Sequence, residues 1–278
     1  MRQLRNATLL ALTMLMSLTA CKKVPITGRR QLNLLPSSQM LSLSQSNYSS
    51  FLQQNNVVNT GNSNEAQMVK NVGNRLRIAA ERFLAAEGHP ELTKDFQWEF
   101  NLVQDETVNA WCMPGGKVVI YTGILPVTQN EAGLATVMGH EIAHAIARHG
   151  NERMSQGLVT QFGGMALQVA LASEPQQTQQ LFYTAYGLGS QVGVQLPFSR
   201  KHESEADRLG VIFMTLAGYD PNQAVPFWQR MSQLGGQRPP EFLSTHPSPD
   251  TRATKLRNRY IPEALRYKQK HMDLVVAN

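Results

Sequence analysis

The chain has 278 residues, of which 42% are hydrophobic and 17% are charged, proportions that are ordinary for a globular protein with a full hydrophobic core. Its formal net charge of +6 is a modest excess without a run of Lys or Arg, which argues against a nucleic-acid-binding site. Only two cysteines are present, so an internal disulfide is excluded if one of them is modified.

Residues 1–20 have the features of an export signal. Arg2 and Arg5 precede an uncharged apolar stretch, residues 7–18, which is too short to span a membrane comfortably. The stretch ends in small residues before Cys21, a pattern similar to the lipobox of bacterial lipoproteins. We therefore expect lipidation of Cys21 and anchoring in the bacterial cell envelope. If the host is Gram-negative, Lys22 in place of Asp after the cysteine resembles the pattern sorted to the outer membrane, which places the anchor on its periplasmic face. A plain signal peptide with an incidental cysteine is the alternative.

Residues 21–60 form the next predicted unit, a tether and approach segment that follows the lipidated cysteine. The segment is rich in Ser, Asn and Gln, so we expect little periodic structure. The remainder, residues 61–278, is predicted to be one catalytic domain. Within residues 65–84 the apolar side chains recur at helical spacing, which predicts its first helix.

A small sheet is predicted next. Trp98, Phe100 and Leu102 alternate with polar residues as in a half-buried strand, residues 117–121 form a second extended run, and a turn is marked at residues 114–116. Downstream, the pattern is helical from Thr128, whose hydroxyl can cap a helix reciprocally with Glu131. The fold class is therefore α+β, mostly helical with a small antiparallel sheet or hairpin.

The most apolar internal stretch covers residues 157–172. It is interrupted by two glutamines and falls short of the roughly 20 residues that span a bilayer, so we predict a buried helix. The glutamine-rich residues 176–195 that follow could form either an active-site lid or a membrane-facing loop. The sequence leaves both possibilities open.

His140, Glu141 and His144 form an HExxH pattern inside the helix that is predicted to begin at Thr128. Histidines four positions apart lie one turn apart on one face, so both imidazoles can reach one Zn²⁺. Glu141 projects beside the metal and can take a proton from a zinc-bound water. Because the helix is apolar on most sides, these polar groups are expected to be buried and to need partners. Ordinary hydrogen-bonded core groups are the alternative.

A catalytic zinc ion normally has three protein ligands, so a third ligand is expected elsewhere. The elongated pattern with a further histidine fails because position 150 is Gly, and we expect His149 to be a solvated helix-end residue. Glu203 shares an inward helical face with apolar residues and is the predicted third ligand. Asp207, one turn later, can hold the second nitrogen of a ligating histidine. Glu205 is expected to point elsewhere, and a solvated acidic helix start is the alternative for this segment.

With the HExxH pattern and an ExxxD pattern at Glu203 and Asp207, most of residues 60–260 resemble the zinc endopeptidase family of the CAAX prenyl proteases. That family includes mitochondrial and bacterial-envelope quality-control proteases. The resemblance implies a zincin-like (gluzincin) metalloprotease domain with one Zn²⁺ per chain. It also implies His140, His144 and Glu203 as the ligands, with Asp207 in support.

His246 and Arg252 look like the family's HP segment, in which a His and an Arg six residues later face the substrate. His246 could donate a hydrogen bond to the developing oxyanion, with Arg252 assisting. Alternatively, His246 could occupy the open zinc position as an inhibitory latch, or be only a loop histidine near a helix start. These three interpretations remain open.

Asn109 and Ala110 resemble the edge strand of gluzincin peptidases, which binds the substrate backbone by strand addition. Asn109 would contact a carbonyl or amide of the substrate, and a mere hairpin is the alternative. Cys112, two residues later, is interpreted as a small buried apolar residue.

The function expected from these residues and the resemblance is endoproteolysis of unfolded or misassembled envelope proteins, in which Glu141 activates a water and then protonates the leaving amine. The expected partners are such protein substrates and, through the lipid anchor, a membrane, with no nucleic acid and no small-molecule cofactor. The alternative is a lipid-anchored chaperone-like or binding module with a latched zinc site. Retention of Glu141 argues against a purely structural site.

Overall fold

The computed structural model describes residues 21–24, 26–172, 176–190, 196–234, 242, 246 and 251–276. The predicted signal sequence, residues 1–20, lies outside them, as do residues 191–195 of the glutamine-rich stretch. The strands are β1 Cys21–Lys23, β2 Arg30–Leu32, β3 Glu99–Val103, β4 Ala110–Met113 and β5 Lys117–Tyr121. The longer helices described are α1 Ser37–Gln54, α2 Asn64–Ala86, α3 Glu131–Ile146, α4 His149–Ala170, α5 Gln176–Ser190, α6 Leu196–Leu216, α7 Ala224–Gln233 and α8 Ile261–Lys270.

The central sheet has the strand order β3-β5-β4. The hairpin formed by β4 and β5 is antiparallel, but β3 pairs parallel to β5, so the sheet is mixed and not wholly antiparallel as predicted. The chain reverses direction twice, once between β3 and β4 and again at the predicted turn, residues 114–116, between β4 and β5. Strand β5 therefore runs in the same direction as β3, and it pairs between the other two strands.

Helix α2 confirms the first helix predicted from apolar spacing. It begins where the Ser63 hydroxyl accepts a 3.1 Å hydrogen bond from the Ala66 backbone N–H, which satisfies one of the free donors of the first turn. Its inward face packs on the sheet, α3 and α6. This burial accounts for the fully buried apolar residues of the helix, namely Val69, Val72, Leu76, Ala79, Ala80, Phe83 and Leu84.

The segment that was expected to have little periodic structure contains the 18-residue helix α1. This helix covers the face of the sheet opposite the main core, where Tyr48 packs with Val103 and Val119. Phe51 and Trp111 extend the contact with an edge-on ring arrangement at 4.9 Å between centroids. Only one narrow stripe of the helix is buried, and most of its other residues are polar. The helical spacing of its apolar residues is therefore difficult to recognise in the sequence.

Helix α3 is the buried centre of the domain, and it packs most extensively against α6. It begins at Glu131, with the Asn130 side chain as its cap, since the backbone N–H of Gly133 donates to Asn130 Oδ1 at 2.9 Å. The predicted reciprocal cap between Thr128 and Glu131 is therefore wrong. Thr128 ends the preceding short turn, and Gln129 with φ of 64° breaks the helical path between them.

The predicted burial of residues 157–172 is also wrong. They form the second half of α4, which carries exposed apolar side chains at Val159, Phe162, Met165 and Val169. Helix α5 packs against α4, and the Tyr186 hydroxyl donates to the Thr160 carbonyl at 2.8 Å. Among the described residues, no helix is long and apolar enough to cross a membrane.

Candidate metal centre

Two buried helices bring three potential ligand atoms to one point. His140 Nε2 and His144 Nε2, both from α3, lie 3.1 Å apart. The Glu203 carboxylate on α6 lies 3.2 Å from His140 Nε2 through Oε2 and 3.4 Å from His144 Nε2 through Oε1. All three side chains are buried, so the approach of α3 to α6 determines whether they meet.

That approach depends on two glycines, Gly139 on α3 and Gly210 on α6. A Cβ atom on Gly210 would lie 2.8 Å from the backbone nitrogen of His140, and one on Gly139 would lie 2.9 Å from the Gly210 carbonyl oxygen. Such distances are below ordinary van der Waals contact with backbone atoms, which cannot move away individually. The absence of side chains here therefore sets the separation of the histidines from Glu203.

A second layer of charged groups surrounds these side chains. Asp207 Oδ1 lies 3.0 Å from His140 Nδ1, on the ring edge opposite the shared point. Arg252 donates from Nη2 to Glu203 at 2.9 Å and from Nε to Asp207 at 2.8 Å. The guanidinium also lies over the Trp228 ring, 3.9 Å from its centroid. Asp207 and Arg252 therefore fix the orientation of His140 and Glu203.

Glu141 and His246 lie beside the three potential ligand side chains. His246 Nε2 lies 3.5 Å from Glu141 Oε1, and its Nδ1 lies 3.2 Å from the Phe242 carbonyl oxygen. Ligand atoms of His140, His144, Glu203 and His246 all fall within 4.8 Å of one another. His246 is thus close enough to share a cation with the other three, and also close enough to meet a group bound beside Glu141.

Burial and hydrogen bonding together set the proton affinities of this site. Burial lowers the pKa of His140, but hydrogen bonding to Asp207 and Glu203 outweighs it and raises that pKa to about 9. Burial would raise the pKa of Glu203, yet the hydrogen bond to His140 lowers it to about 2. Burial raises the pKa of Glu141 to about 8. Without a cation, therefore, Glu203 is ionised and Glu141 retains a proton near neutral pH.

His149 is fully buried, which contradicts the prediction that it is a solvated helix-end residue. Its Nδ1 lies 2.8 Å from His144 Nδ1, and its Nε2 lies 2.9 Å from Glu205 Oε2. The cause is Arg148, whose left-handed backbone (φ 58°, ψ 32°) ends one helix and begins α4 in a new direction. Glu205 points away from the potential ligands, as predicted, but it is buried and not solvated.

Three further residues join this cluster and were missed in the sequence. Arg29, in the loop between β1 and β2, contacts Glu205 at 2.8 Å and Glu152 at 2.7 Å. His202 Nε2 lies 2.8 Å from Glu152, and its ring stacks on His149 at 4.3 Å between centroids. No spacing in the sequence connects Arg29 to residues more than a hundred positions later.

The residues predicted to bind substrate lie at the start of β4, which packs beside α3. Asn109 and Ala110 are both buried, and Asn109 Oδ1 accepts a 2.9 Å hydrogen bond from the Ala110 backbone N–H. Cys112 on the same strand is half-buried and packs against the main core. The role of Asn109 and Ala110 in substrate binding stays a prediction.

Comparison with known proteins adds an independent finding. The sequence model of Peptidase family M48 matches residues 71–260, which include every potential ligand described above. The chain is 38% identical over 186 residues to the mitochondrial metalloendopeptidase OMA1 of Schizosaccharomyces pombe, covering 66% of this chain and 51% of that protein. It is 31% identical over 254 residues to the mitochondrial metalloendopeptidase OMA1 of Homo sapiens, covering 88% of this chain and 47% of that protein.

A bacterial relative is also similar. The chain is 31% identical over 167 residues to the beta-barrel assembly-enhancing protease of Escherichia coli, covering 58% of this chain and 34% of that protein. The chain therefore spans about half the length of the mitochondrial relatives and about a third of the bacterial one.

Proposed function

The chain belongs to peptidase family M48, and on that premise we propose that it is a zinc-dependent endopeptidase with His140, His144 and Glu203 as the ligands. One observation carries the proposal: the two Nε2 atoms are 3.1 Å apart, and the Glu203 carboxylate approaches His140 Nε2 to 3.2 Å through Oε2 and His144 Nε2 to 3.4 Å through Oε1. Tetrahedral zinc with bonds of about 2.0 to 2.1 Å requires about 3.3 Å between its ligand atoms. A single proton could satisfy only one of the three contacts, whereas a cation satisfies all of them.

Bound zinc would polarise the scissile carbonyl and lower the pKa of a water towards about 7. Glu141 then supplies the base. Its carboxylate follows the ligand His140 directly in α3 and is buried beside the open side of the ligand set. It takes the proton from the attacking water and returns it to the leaving amine. The ionised form that this step needs is favoured by a neighbouring cation, which opposes the effect of burial.

Asp207 and Arg252 support the ligands in this proposal. Asp207 Oδ1, 3.0 Å from His140 Nδ1, favours the proton on that nitrogen, so that Nε2 presents its lone pair towards the ligand set. Arg252 bridges Glu203 and Asp207 and holds both carboxylates in place. The predicted assistance of Arg252 to the oxyanion stays a prediction, because its described contacts are with these carboxylates and the Trp228 ring.

Of the three interpretations of His246 that the sequence left open, two give it a role in the site. Its closeness to the ligand atoms favours a latch, and its closeness to Glu141 favours a donor to the oxyanion. We expect His246→Ala to separate them when casein cleavage and zinc affinity are measured together. Higher activity with weaker zinc binding indicates a latch. Lower activity, by about 10²-fold, with unchanged zinc binding indicates the donor.

For the substrate, we propose unfolded or misassembled proteins of the bacterial envelope. The support is the similarity to the beta-barrel assembly-enhancing protease of Escherichia coli and the edge position of β4 beside the site. A lipid anchor at Cys21 would hold the domain at the periplasmic face of the outer membrane. The competing proposal is a chaperone-like or binding module whose zinc is latched, which the proximity of His246 to the ligand atoms favours.

The deciding experiment is casein cleavage by the full-length chain purified in detergent, with the metal content measured in the same preparation. We expect one zinc per chain, loss of cleavage after treatment with a chelator, and recovery on addition of zinc. A preparation that contains zinc but cleaves nothing would favour the latched module. A preparation that cleaves casein with no dependence on a metal would refute the zinc mechanism.

A further inference from the structure

The two zinc-ligand candidates on α3 have different support. His140 is backed directly by the carboxylate of Asp207, at 3.0 Å from Nδ1. His144 is backed by a second histidine, since His149 Nδ1 lies 2.8 Å from His144 Nδ1. The other nitrogen of His149 lies 2.9 Å from Glu205 Oε2. His140 thus contacts its supporting carboxylate directly, whereas His144 is linked to the carboxylate of Glu205 through the imidazole of His149.

The proton positions along the series His144, His149 and Glu205 follow from the proposed zinc site. A neutral imidazole that binds metal through Nε2 carries its proton on Nδ1, so His144 must donate from Nδ1. His149 Nδ1 must then accept, which places the proton of His149 on Nε2. That N–H points at Glu205, which accepts as a carboxylate. The contact between His144 and His149 and the contact between His149 and Glu205 therefore each have one donor and one acceptor.

We propose that His149 and Glu205 are positioning residues for the metal, which fix the tautomer and the ring orientation of His144. The inference rests on the proposed zinc site and adds to it. In this role Glu205 does for His144 what Asp207 does for His140. Within the part of the chain that the structure describes, the side chains that could share one metal ion do not include His149 or Glu205.

Glu205 is itself held by the segment before the catalytic domain. The Arg29 guanidinium donates from Nε to Glu205 Oε2 at 2.8 Å, and the Thr27 hydroxyl donates to Glu205 Oε1. Arg29 also donates to both oxygens of Glu152, at 2.8 and 2.7 Å. The loop between β1 and β2 therefore helps to orient a metal ligand, although it precedes the matched family region by about forty residues.

The chain offers a matched pair of variants as a test. Glu205 and Glu152 are both buried, and both are bonded to Arg29 and to a histidine. Glu205 is hydrogen-bonded to His149, the residue that contacts His144, whereas Glu152 is hydrogen-bonded to His202. In the full-length chain we expect Glu205→Gln to weaken zinc binding about 10- to 100-fold in a competition with a chelator. We expect Glu152→Gln to bind zinc nearly as well as the unaltered chain.

Substitutions at His149 give a second readout that does not depend on Glu205. The Asn oxygen in His149→Asn can still accept from His144 Nδ1, whereas His149→Leu cannot. We expect the Asn variant to recover part of the zinc affinity that the Leu variant loses. In the cobalt-substituted protein, the Leu variant should also change the visible absorption spectrum, which reports the geometry at the metal.

Two results would overturn the inference. The first is equal zinc affinity in Glu205→Gln and Glu152→Gln, whether both are weakened or both unchanged. If either of these variants fails to fold, equal losses in the Asn and Leu variants at position 149 decide against it. A full-length unaltered chain that binds no zinc would refute the proposed function instead, which is a separate and distinguishable outcome.

Discussion

Replacement of Glu141 by Gln is expected to lower casein cleavage by about 10²- to 10⁴-fold while zinc remains bound, because general base catalysis contributes rate enhancements of that size. The amide of Gln has nearly the same shape as the carboxylate but cannot accept the proton of the attacking water. Since Glu141 is not one of the grouped ligand residues, its loss should leave the metal in place. The measurement is the initial rate of cleavage beside the zinc content of each preparation.

The matched control is Glu131→Gln, which makes the same chemical change in the exposed first turn of the same helix. We expect this control to cleave casein at the rate of the unaltered chain. If Glu141→Gln kept more than a tenth of the activity with zinc bound, another group would have to be the base. His246, 3.5 Å away, would be the first to consider.

Gly210→Ala is expected to lower both stability and zinc binding. The new Cβ would meet the His140 nitrogen at 2.8 Å, so α3 and α6 must separate. Overpacking of this kind costs about 1 to 3 kcal/mol of the free energy of unfolding. Separation of the helices also moves Glu203 away from His140 and His144. We therefore expect a lower melting temperature and weaker zinc binding together.

Gly157→Ala is the control for this substitution. Gly157 lies within α4 and a Cβ added there meets no atom within 4 Å. Alanine is favoured over glycine in a helix, so we expect this variant to gain about 0.5 to 1 kcal/mol and to bind zinc normally. A Gly210→Ala protein that matched it in both measurements would show that the helix separation does not control the metal site.

The group of ligand candidates could be predicted because its pattern is local. His140 and His144 are one turn apart, and Glu203 lies on a helix with a clear apolar face, so helical geometry alone places each on an inward side. The structure adds what such spacing cannot contain, namely how closely two helices approach. That distance depends on Gly139 and Gly210, which in the sequence are two glycines among twenty.

The predictions that the structure contradicts depend on contacts between distant parts of the chain. The burial of His149 depends on one left-handed residue, Arg148, and on Arg29, which reaches the site from far upstream. Residues 157–172 were expected to be buried because they are apolar. An apolar stretch indicates that burial would be favourable, but it does not show that another element packs over it. Helix α1 was missed for the opposite reason, since few of its side chains are apolar.

Strand β4 has one hydrogen-bonded neighbour, β5, and no second strand alongside it among the described residues. A peptide that pairs with the open side would be held through main-chain amides and carbonyls, which are the same in every polypeptide. Such a protease would discriminate by the conformational state of its client more than by its side chains. The rate of cleavage would then rise with the fraction of time that a client exposes an extended segment, so an assembly defect could mark a protein for removal without any change in its sequence.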